Sequence, residues 1–280
     1  MTAAVAEPRP AATIVVLRDQ PGGVEVLLVQ RHTKSPFMPG ATVFPGGKVD
    51  PADREPGDDD QTAARRAAIR ELAEEAGIVV EPTAEIACFA HWVTPAFESR
   101  RFDTLFFAVV APADQVAQAD RSETTDALWL TFDEALDGGR PDVFLPPPTR
   151  HTLERLRALG GDAATLVRKL TAEGVGPRIE PHVVIDGPGL RCIALPWDRE
   201  APGADAYVNR HGADLRAMTA VAALPVENVP GVDRYDLREG RFCRQNDPPF
   251  VQTFELAGEL SADLIATCRT ASRAEGPYSA

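Results

Sequence analysis

Arg70-Glu71-Leu72-Ala73-Glu74-Glu75-Ala76-Gly77 is a stretch with three carboxylates at a spacing typical of one face of a helix. Positions 71, 74 and 75 stand at i, i+3 and i+4, so their side chains project from the same side. Like charges at this spacing repel each other unless a cation lies between them. Mg²⁺ prefers oxygen ligands and combines one or two carboxylates with substrate phosphates. The stretch therefore predicts a helix that holds a divalent metal ion.

The opposite side of this helix is apolar and is built mostly from small residues. Its members are Ala64, Ala68, Ile69, Leu72, Ala73 and Ala76. A stripe of this kind can pack closely against a sheet, and Gly77 suits the left-handed conformation that ends many helices. We predict a helix over residues 62–76. The alternative interpretation is a solvated acidic face in which Arg70 and Glu74 form a simple ion pair.

A glycine turn lies upstream of the helix. Phe44-Pro45-Gly46-Gly47 follows an apolar run and ends in two residues that permit close approach to the backbone. Turn and helix together resemble the signature of the Nudix hydrolase family, G-x5-E-x7-R-E-U-x-E-E-x-G-U, in which U is a bulky aliphatic residue. Gly47 matches the first glycine, and residues 70–78 match the second half without a gap. The resemblance implies an α/β fold, the Nudix α/β/α sandwich with a mixed sheet.

The spacing between the two halves of the signature is longer than in the family. Arg70 follows Gly47 by 23 positions, nine more than in the signature, and residues 49–58 are rich in Pro, Gly and Asp, as in a surface loop. Counting back from Arg70 places Thr62 where the family has its first glutamate. Residues 58–60 are three aspartates, which we expect to cap the helix. The alternative is that one of them replaces the glutamate.

The resemblance implies hydrolysis of a nucleoside diphosphate linked to another moiety, with Mg²⁺ or Mn²⁺ as cofactor. The implied metal ligands are the main-chain oxygen of Gly47 and the carboxylates of Glu71, Glu74 and Glu75. Arg70 would orient these carboxylates through ion pairs. The general base is expected to be Glu74 or, as second choice, an acid from a later loop, Glu123 ahead of Asp126.

Coenzyme A or acyl-CoA is the expected substrate, through a second resemblance. Coenzyme A diphosphatases carry L-L-T-x-R-[SA]-x3-R-x3-G-x3-F-P-G-G, of which this chain keeps Leu27, Leu28, Arg31 and Gly40 but departs at positions 29, 32 and 36. Its lengthened loop, its Phe37-x-Pro39-Gly40 pattern and its Arg101-Phe102-Asp103-Thr104 stretch are similar to the divergent, peroxisomal branch and its bacterial relatives. The alternatives are an ADP-ribose or NADH pyrophosphatase and a nucleotide sensor without catalysis.

Three residues are candidates for binding this substrate. Arg31 and Arg101 carry guanidinium groups, which suit phosphate recognition. Phe97 could stack on an adenine, although packing within the protein explains it equally well. The five histidines show no metal-ligand spacing and receive no role.

Composition narrows the possible partners and location. A net charge of −13 argues against nucleic-acid partners and anionic membranes, which both require clustered Lys and Arg. There is no apolar run of membrane-spanning length and no signal-peptide pattern at the start. The four cysteines form no C-x-x-C pair, which favours free thiols in a reducing compartment. We therefore expect a cytoplasmic protein that acts on a small nucleotide conjugate.

The order of predicted elements divides the chain into two parts. A Nudix hydrolase domain is expected over residues 10–158, from strands near 13–17, 24–30, 42–44, 85–93, 102–110 and 127–130 and helices near 62–76, 133–136 and 152–159. Residues 159–280 are expected to form a C-terminal α+β extension, with a helix over 163–173 and hairpins near 182–195 and 233–242. This extension would cover the substrate cleft or form a contact in a homodimer.

Overall fold

The computed structural model describes residues 5–81, 83–96, 98–136, 140, 142–186, 189–196, 234–238 and 241–244. The chain divides into two compact units. The larger unit comprises Arg9–Trp92 and Phe102–Arg178, and the smaller comprises Met1–Pro8, Val93–Arg101 and Ile179–Ala280. Within the described residues, no helix is long and apolar enough to cross a membrane.

A mixed seven-stranded sheet forms the centre of the larger unit. Its strands are β1 (Arg9–Gln20), β2 (Gly23–Arg31), β3 (Thr42–Val43), β4 (Gly46–Lys48), β5 (Ala87–Val93), β6 (Phe102–Val110) and β7 (Thr124–Thr131). Strand β1 pairs in parallel with β6 along its length. Its other edge pairs antiparallel with β2 only over the last four residues, and with β4 over Ala11–Thr13. Strands β1 and β2 therefore diverge, and the glycine turn fills the space between them.

Helices cover the sheet on both faces. They are α1 (Asp60–Ala76), α2 (Phe132–Leu136), α3 (Pro147–Leu159) and α4 (Ala163–Glu173). The small apolar residues of α1 are buried in one cluster with Ile14, Val16 and Phe107 of the sheet. Successive strand residues point to opposite faces, and Phe106 contacts Trp92, whose ring lies 5.4 Å from that of His151 in α3. The predicted α/β/α sandwich is confirmed.

Within the described residues, the smaller unit contains a four-stranded antiparallel sheet, which supplies the strands predicted for the C-terminal part. Its strands are β8 (His182–Asp186), β9 (Gly189–Ala194), β10 (Arg234–Arg238) and β11 (Arg241–Arg244). Strands β8 and β9 form the first predicted hairpin, and β10 and β11 form the second. Residues 239–240, between β10 and β11, lie outside the described residues.

Several features of the fold differ from the sequence-based prediction. Helix α3 begins at Pro147 instead of 152, because proline is tolerated at the first helical position. The loop predicted over 49–58 contains a short 3-10 helix, Pro51–Asp53. Helix α4 belongs to the larger unit, because it packs on β1, β6 and α3, so this unit reaches Arg178 instead of ending at 158. The role of the C-terminal extension stays a prediction.

Candidate active site

The glycine turn is anchored on the neighbouring strand β1. The carbonyl oxygen of Pro45 accepts hydrogen bonds from the Thr13 hydroxyl at 2.7 Å and from the Ile14 N–H at 2.9 Å. A Cβ atom at Gly46 would lie 2.4 Å from the Ala12 carbonyl oxygen, so any other residue would push the turn off the strand. The close approach to β1, rather than an unusual φ, is what requires glycine here.

The other side of the turn contacts two carboxylates of α1. The Gly46 N–H donates to Glu75 Oε2 at 2.9 Å. A Cβ atom at Gly47 would lie 2.2 Å from Glu71 Oε1, which shows how closely the Glu71 carboxylate lies against this backbone. The structure thus brings together three of the predicted metal-site residues, Gly47, Glu71 and Glu75. Glu74, the fourth, is exposed on α1.

Arg70 connects the acidic residues of the helix. Its Nη1 donates to Glu71 Oε1 at 2.9 Å and to Glu74 Oε2 at 3.1 Å. Its Nη2 also donates to the Lys48 carbonyl oxygen at 3.0 Å, next to the glycine turn. The ion pair with Asp53, and then the one with Glu71, raises the pKa of the guanidinium well above its usual value. The contacts are those expected of a residue that orients the carboxylates.

Asp53 is a residue of this site that the sequence analysis missed. Its two carboxylate oxygens accept hydrogen bonds from Arg70 Nε at 3.1 Å and Nη2 at 2.9 Å, a bidentate ion pair. Burial alone would raise the pKa of Asp53, but the bonds from Arg70 and from the Asp50 N–H hold it below its usual value. The signal was available, because Asp53 stands six positions after Gly47, where the signature G-x5-E has its glutamate.

The extra residues of the chain therefore follow the acid of the signature and do not precede it. Counting back from Arg70 led to Thr62, and this assignment is wrong. The Thr62 N–H donates to Asp59 Oδ1 at 2.7 Å, which makes Asp59 the N-cap of α1, as expected of the triple aspartate. Asp58 instead bonds Arg66 of the same helix, and Asp60 bonds Arg54. None of the three aspartates takes the place of the glutamate.

The electrostatics of Glu75 and Glu71 favour a cation beside them. Glu75 is only 4% exposed, and its burial raises its pKa to about 7, an effect that the Gly46 N–H and Arg31 partly offset and the charges of Glu71 and Glu123 reinforce. Burial also raises the pKa of Glu71. A buried and a half-buried carboxylate that repel each other gain stability from a divalent cation, and hard oxygen donors suit Mg²⁺ or Mn²⁺.

The acidic residues do not form a closed metal cage by themselves. Among the residues that the structure describes, no group of three acidic, His or Cys side chains converges on one point. Glu74 is 59% exposed and turned towards Arg70. An ion held by two carboxylates, with water and phosphate oxygens completing its shell, fits this donor set better than a cage made of protein alone.

Glu123 lies on the turn that leads into β7 and is brought to the acidic pair by sheet pairing. Strand β7 pairs with β2, which places Thr124 opposite Arg31. The Glu123 carbonyl oxygen accepts the His32 N–H at 2.9 Å. The carboxylate of Glu123 is exposed, and its negative charge raises the pKa of both Glu71 and Glu75. Asp126, the other late candidate, is exposed on β7.

The three predicted substrate-binding residues have different surroundings. Arg31 is half-buried near Glu75, and it bonds the Phe37 carbonyl oxygen at 3.1 Å and the Ser35 hydroxyl at 2.7 Å. It therefore orders the loop 32–40 beside the acidic pair. Phe97 lies outside the described residues.

Arg101, the second predicted substrate-binding residue, is held by partners within the protein. It is 7% exposed, and its guanidinium donates to the carbonyl oxygens of Thr94 and Ala6, both at 2.9 Å. Its Nη2 also pairs with Glu180 Oε1 at 2.5 Å. With these partners, all within the smaller unit, the side chain is committed to joining three segments of that unit.

Two curated proteins are similar to this chain over part of its length. A Caenorhabditis elegans relative named as a nudix hydrolase is 30% identical over 47% of this chain and 55% of its own length. The acyl-coenzyme A diphosphatase NUDT19 of Xenopus laevis is 26% identical over 47% of this chain and 59% of its own length. The chain thus spans somewhat over half the length of these curated relatives.

A solved structure and a family model also match this chain. The crystal structure of a NUDIX hydrolase from Alicyclobacillus acidocaldarius is 27% identical, with a TM-score of 0.54, and covers 62% of this chain and 100% of its own. The model of the NUDIX domain matches residues 7–148, just over half of the 280 residues. The chain belongs to the NUDIX domain family.

Proposed function

We propose that this protein is a metal-dependent hydrolase of the pyrophosphate bond in a nucleoside diphosphate linked to another moiety. The observation that carries the proposal is the contact between the glycine turn and α1, where the buried Glu75 and the half-buried Glu71 lie against Gly46 and Gly47. Two carboxylates shielded from solvent next to a partly exposed main chain suit a cation and the phosphates it binds. A protein of net charge −13 needs such a cation to attract a polyanion.

The residues of the site have distinct tasks in this reaction. Glu71, Glu75 and the main-chain oxygen of Gly47, with Glu74 at the exposed edge, would hold Mg²⁺ or Mn²⁺, and hydrolases of this family generally use divalent metal ions. When bound, the ion would neutralise the diphosphate and make a nearby water more acidic. Arg70 and Asp53 keep the carboxylates in place before substrate arrives, so little reorganisation is needed during the reaction.

Glu123 is the general base that the geometry favours over Glu74. The Glu74 carboxylate is paired with Arg70, whereas Glu123 is exposed on a separate element and its charge raises the pKa of both Glu71 and Glu75. A general base must lie within hydrogen-bond reach of the attacking water and have an unpaired oxygen to accept its proton. Glu123 would accept a proton from that water while the water oxygen bonds to phosphorus. The bond from phosphorus to the bridging oxygen breaks, and this oxygen leaves with the departing phosphate.

Coenzyme A or an acyl-CoA is the substrate that we propose. The support is the coenzyme A pattern around Arg31 and the similarity to a relative named as an acyl-coenzyme A diphosphatase. ADP-ribose and NADH are the alternative substrates. A non-catalytic sensor is less well supported. The reason to consider it was the apparent loss of the signature glutamate, but Asp53 supplies a carboxylate at that position. The cytoplasmic location and the dimer contact stay predictions.

A substrate screen tests this proposal. Purified protein is given coenzyme A, acetyl-CoA, ADP-ribose or NADH, with Mn²⁺ or with EDTA, and the phosphorylated products are separated by chromatography. We expect Mn²⁺-dependent cleavage, fastest with coenzyme A or its ester. Cleavage of ADP-ribose alone would contradict the substrate, and binding of all four without cleavage would contradict the enzyme.

Gly47→Ala tests the contact on which the proposal depends. A methyl group there would overlap the Glu71 carboxylate, so turnover should fall by roughly 100-fold while the protein stays folded. Gly22→Ala is the matched control, because a Cβ atom at Gly22 meets nothing within 4 Å. Equal turnover of the two variants would show that the contact between turn and helix is not needed for activity.

A further inference from the structure

Asp120 organises the turn that carries Glu123. Its carboxylate accepts hydrogen bonds from the Thr124 hydroxyl at 2.7 Å, the Thr124 N–H at 2.9 Å and the Glu123 N–H at 3.1 Å, and also from the Ser122 hydroxyl. Arg121, within the turn, has a φ of 64°, a left-handed conformation that side chains other than glycine rarely adopt. One carboxylate thus accepts hydrogen bonds from four donors and stabilises a turn whose backbone conformation is uncommon.

The same turn is joined to the two elements that line the acidic site. The Thr124 side chain is buried, and its hydroxyl oxygen lies 3.3 Å from the Glu75 carbonyl oxygen at the end of α1. On the other side, the His32 N–H donates to the Glu123 carbonyl oxygen at 2.9 Å. The residue between these two anchors is Glu123, so its direction depends on the shape of the turn.

We propose that Asp120 is a positioning residue that holds Glu123 opposite Glu71 and Glu75. This rests on the proposed function, in which Glu123 accepts a proton from the attacking water. A misplacement of about 1 Å can cost on the order of 100-fold in rate. A base on an exposed turn therefore requires hydrogen bonds within the turn that fix its position. Asp120 touches neither the diphosphate nor the water and acts through Glu123.

A purely structural role predicts a different outcome, which makes the proposal testable. If Asp120 only stabilised its turn, its loss would lower the melting temperature and leave the kinetics of the folded protein unchanged. If it positions Glu123, its loss must lower kcat, leave KM nearly unchanged, and have no further effect once Glu123 is disabled.

The experiment is a double-mutant cycle on the full chain, with the conjugate that the wild type cleaves fastest. Glu123→Gln should lower kcat by roughly 10²- to 10⁴-fold, as expected for loss of a general base. Asp120→Ala should lower kcat by about 10- to 100-fold with KM within about twofold. The double variant should match Glu123→Gln alone. Asp120→Asn, which keeps one acceptor oxygen for Thr124, should recover part of the loss.

Two controls separate positioning from general damage. Asp162→Ala removes a similar aspartate, which accepts the Thr165 N–H at 2.7 Å at the start of α4. This control should lower the melting temperature and keep kcat. Mn²⁺ affinity, measured by electron paramagnetic resonance, should be the same in wild type and Asp120→Ala, because the metal side of the site is unchanged.

The outcomes distinguish this proposal from the proposed function. If the wild type cleaves none of the conjugates, the proposed function fails and the positioning role fails with it. A normal rate in Glu123→Gln contradicts the base. If Glu123→Gln is slow but Asp120→Ala has normal kcat, weaker Mn²⁺ binding or a loss that multiplies in the double variant, only the positioning role of Asp120 is overturned.

Discussion

Glu75 is buried, yet the proposed function requires it to be negatively charged. Burial raises its pKa to about 7, above the 4.5 expected for an exposed glutamate, so the folded state binds a proton that the unfolded state releases. The resulting stability is fully present below pH 4.5 and is lost as the pH rises through about 7. At pH 8 the metal-free protein therefore carries an unfavourable negative charge on Glu75, which is the charge that metal binding requires.

Glu75→Gln should remove this cost along with the function. We expect the metal-free variant to be more stable than wild type at pH 8 by roughly 1–3 kcal/mol, with the difference vanishing near pH 4.5. Metal-dependent turnover should be abolished. Urea unfolding in EDTA at both pH values measures the effect, and Glu74→Gln, at an exposed site, should change little. A stability gain that is independent of pH would contradict the electrostatic explanation.

Asp53 gives a second prediction for a single residue. Asp53→Ala leaves Arg70 without its bidentate partner, so we expect a loss of roughly 2 kcal/mol in stability and a clear fall in kcat. Asp53→Glu should keep more activity than Asp53→Ala, because it retains the carboxylate. The control is Asp50→Ala, whose exposed carboxylate lies 3.8 Å from Arg70 Nη2. If Asp50→Ala were as damaging as Asp53→Ala, the bidentate pair would not be the cause.

At the scale of elements, α1 shows how one helix serves both packing and chemistry. Its alanine face is fully buried on the sheet, and its other face presents the carboxylates. The helix begins at the Asp59 cap and ends at Gly77, which has a φ of 66° and whose N–H donates to the Ala73 carbonyl oxygen. The cap and the acidic cluster lie at opposite ends of the helix, so they can be varied independently.

Asp59→Ala should therefore affect stability without affecting turnover. Loss of the hydrogen bond to the Thr62 N–H is expected to cost about 1 kcal/mol, the usual value for an N-cap. Melting temperature and kcat are measured on the same preparation, and Asp59→Asn, which keeps an acceptor, should be closer to wild type. A large loss of kcat in the folded Asp59→Ala protein would show that the start of α1 takes part in the reaction.

At the scale of the whole molecule, Arg101 is expected to contribute to the stability of the smaller unit and not to catalysis in the larger one. Its guanidinium joins Ala6, Thr94 and Glu180, three segments that are far apart in the chain. We expect Arg101→Ala to destabilise the protein by roughly 3 kcal/mol, because three half-buried partners lose the donor that the buried guanidinium provides. The KM for the diphosphate should stay unchanged, and kinetics combined with urea unfolding provide the measurement. Arg100→Ala, at an exposed site, is the control, and a rise in KM only in Arg101→Ala would restore its predicted role in substrate binding.

Local patterns predicted the elements of the fold well. The strands, the acidic helix and helix 163–173 lie where periodicity and turn residues indicate, because backbone bonds and side-chain faces repeat over a few residues. Prediction failed where two distant segments had to be matched. The count back from Arg70 led to Thr62, although Asp53 is the partner, because a spacing cannot show on which side of the acid the extra residues lie.

The sequence alone determined the family resemblance, the acidic helix and the glycine turn, since each depends on neighbouring residues. The tertiary structure decided three things that the sequence left open. Arg101 is committed within the smaller unit, Asp53 pairs with Arg70, and Glu123 is carried to the acidic pair by the pairing of β7 with β2. The physical reason is the same for all three: these contacts join residues far apart in the chain, and only the folded path of the backbone brings them within reach.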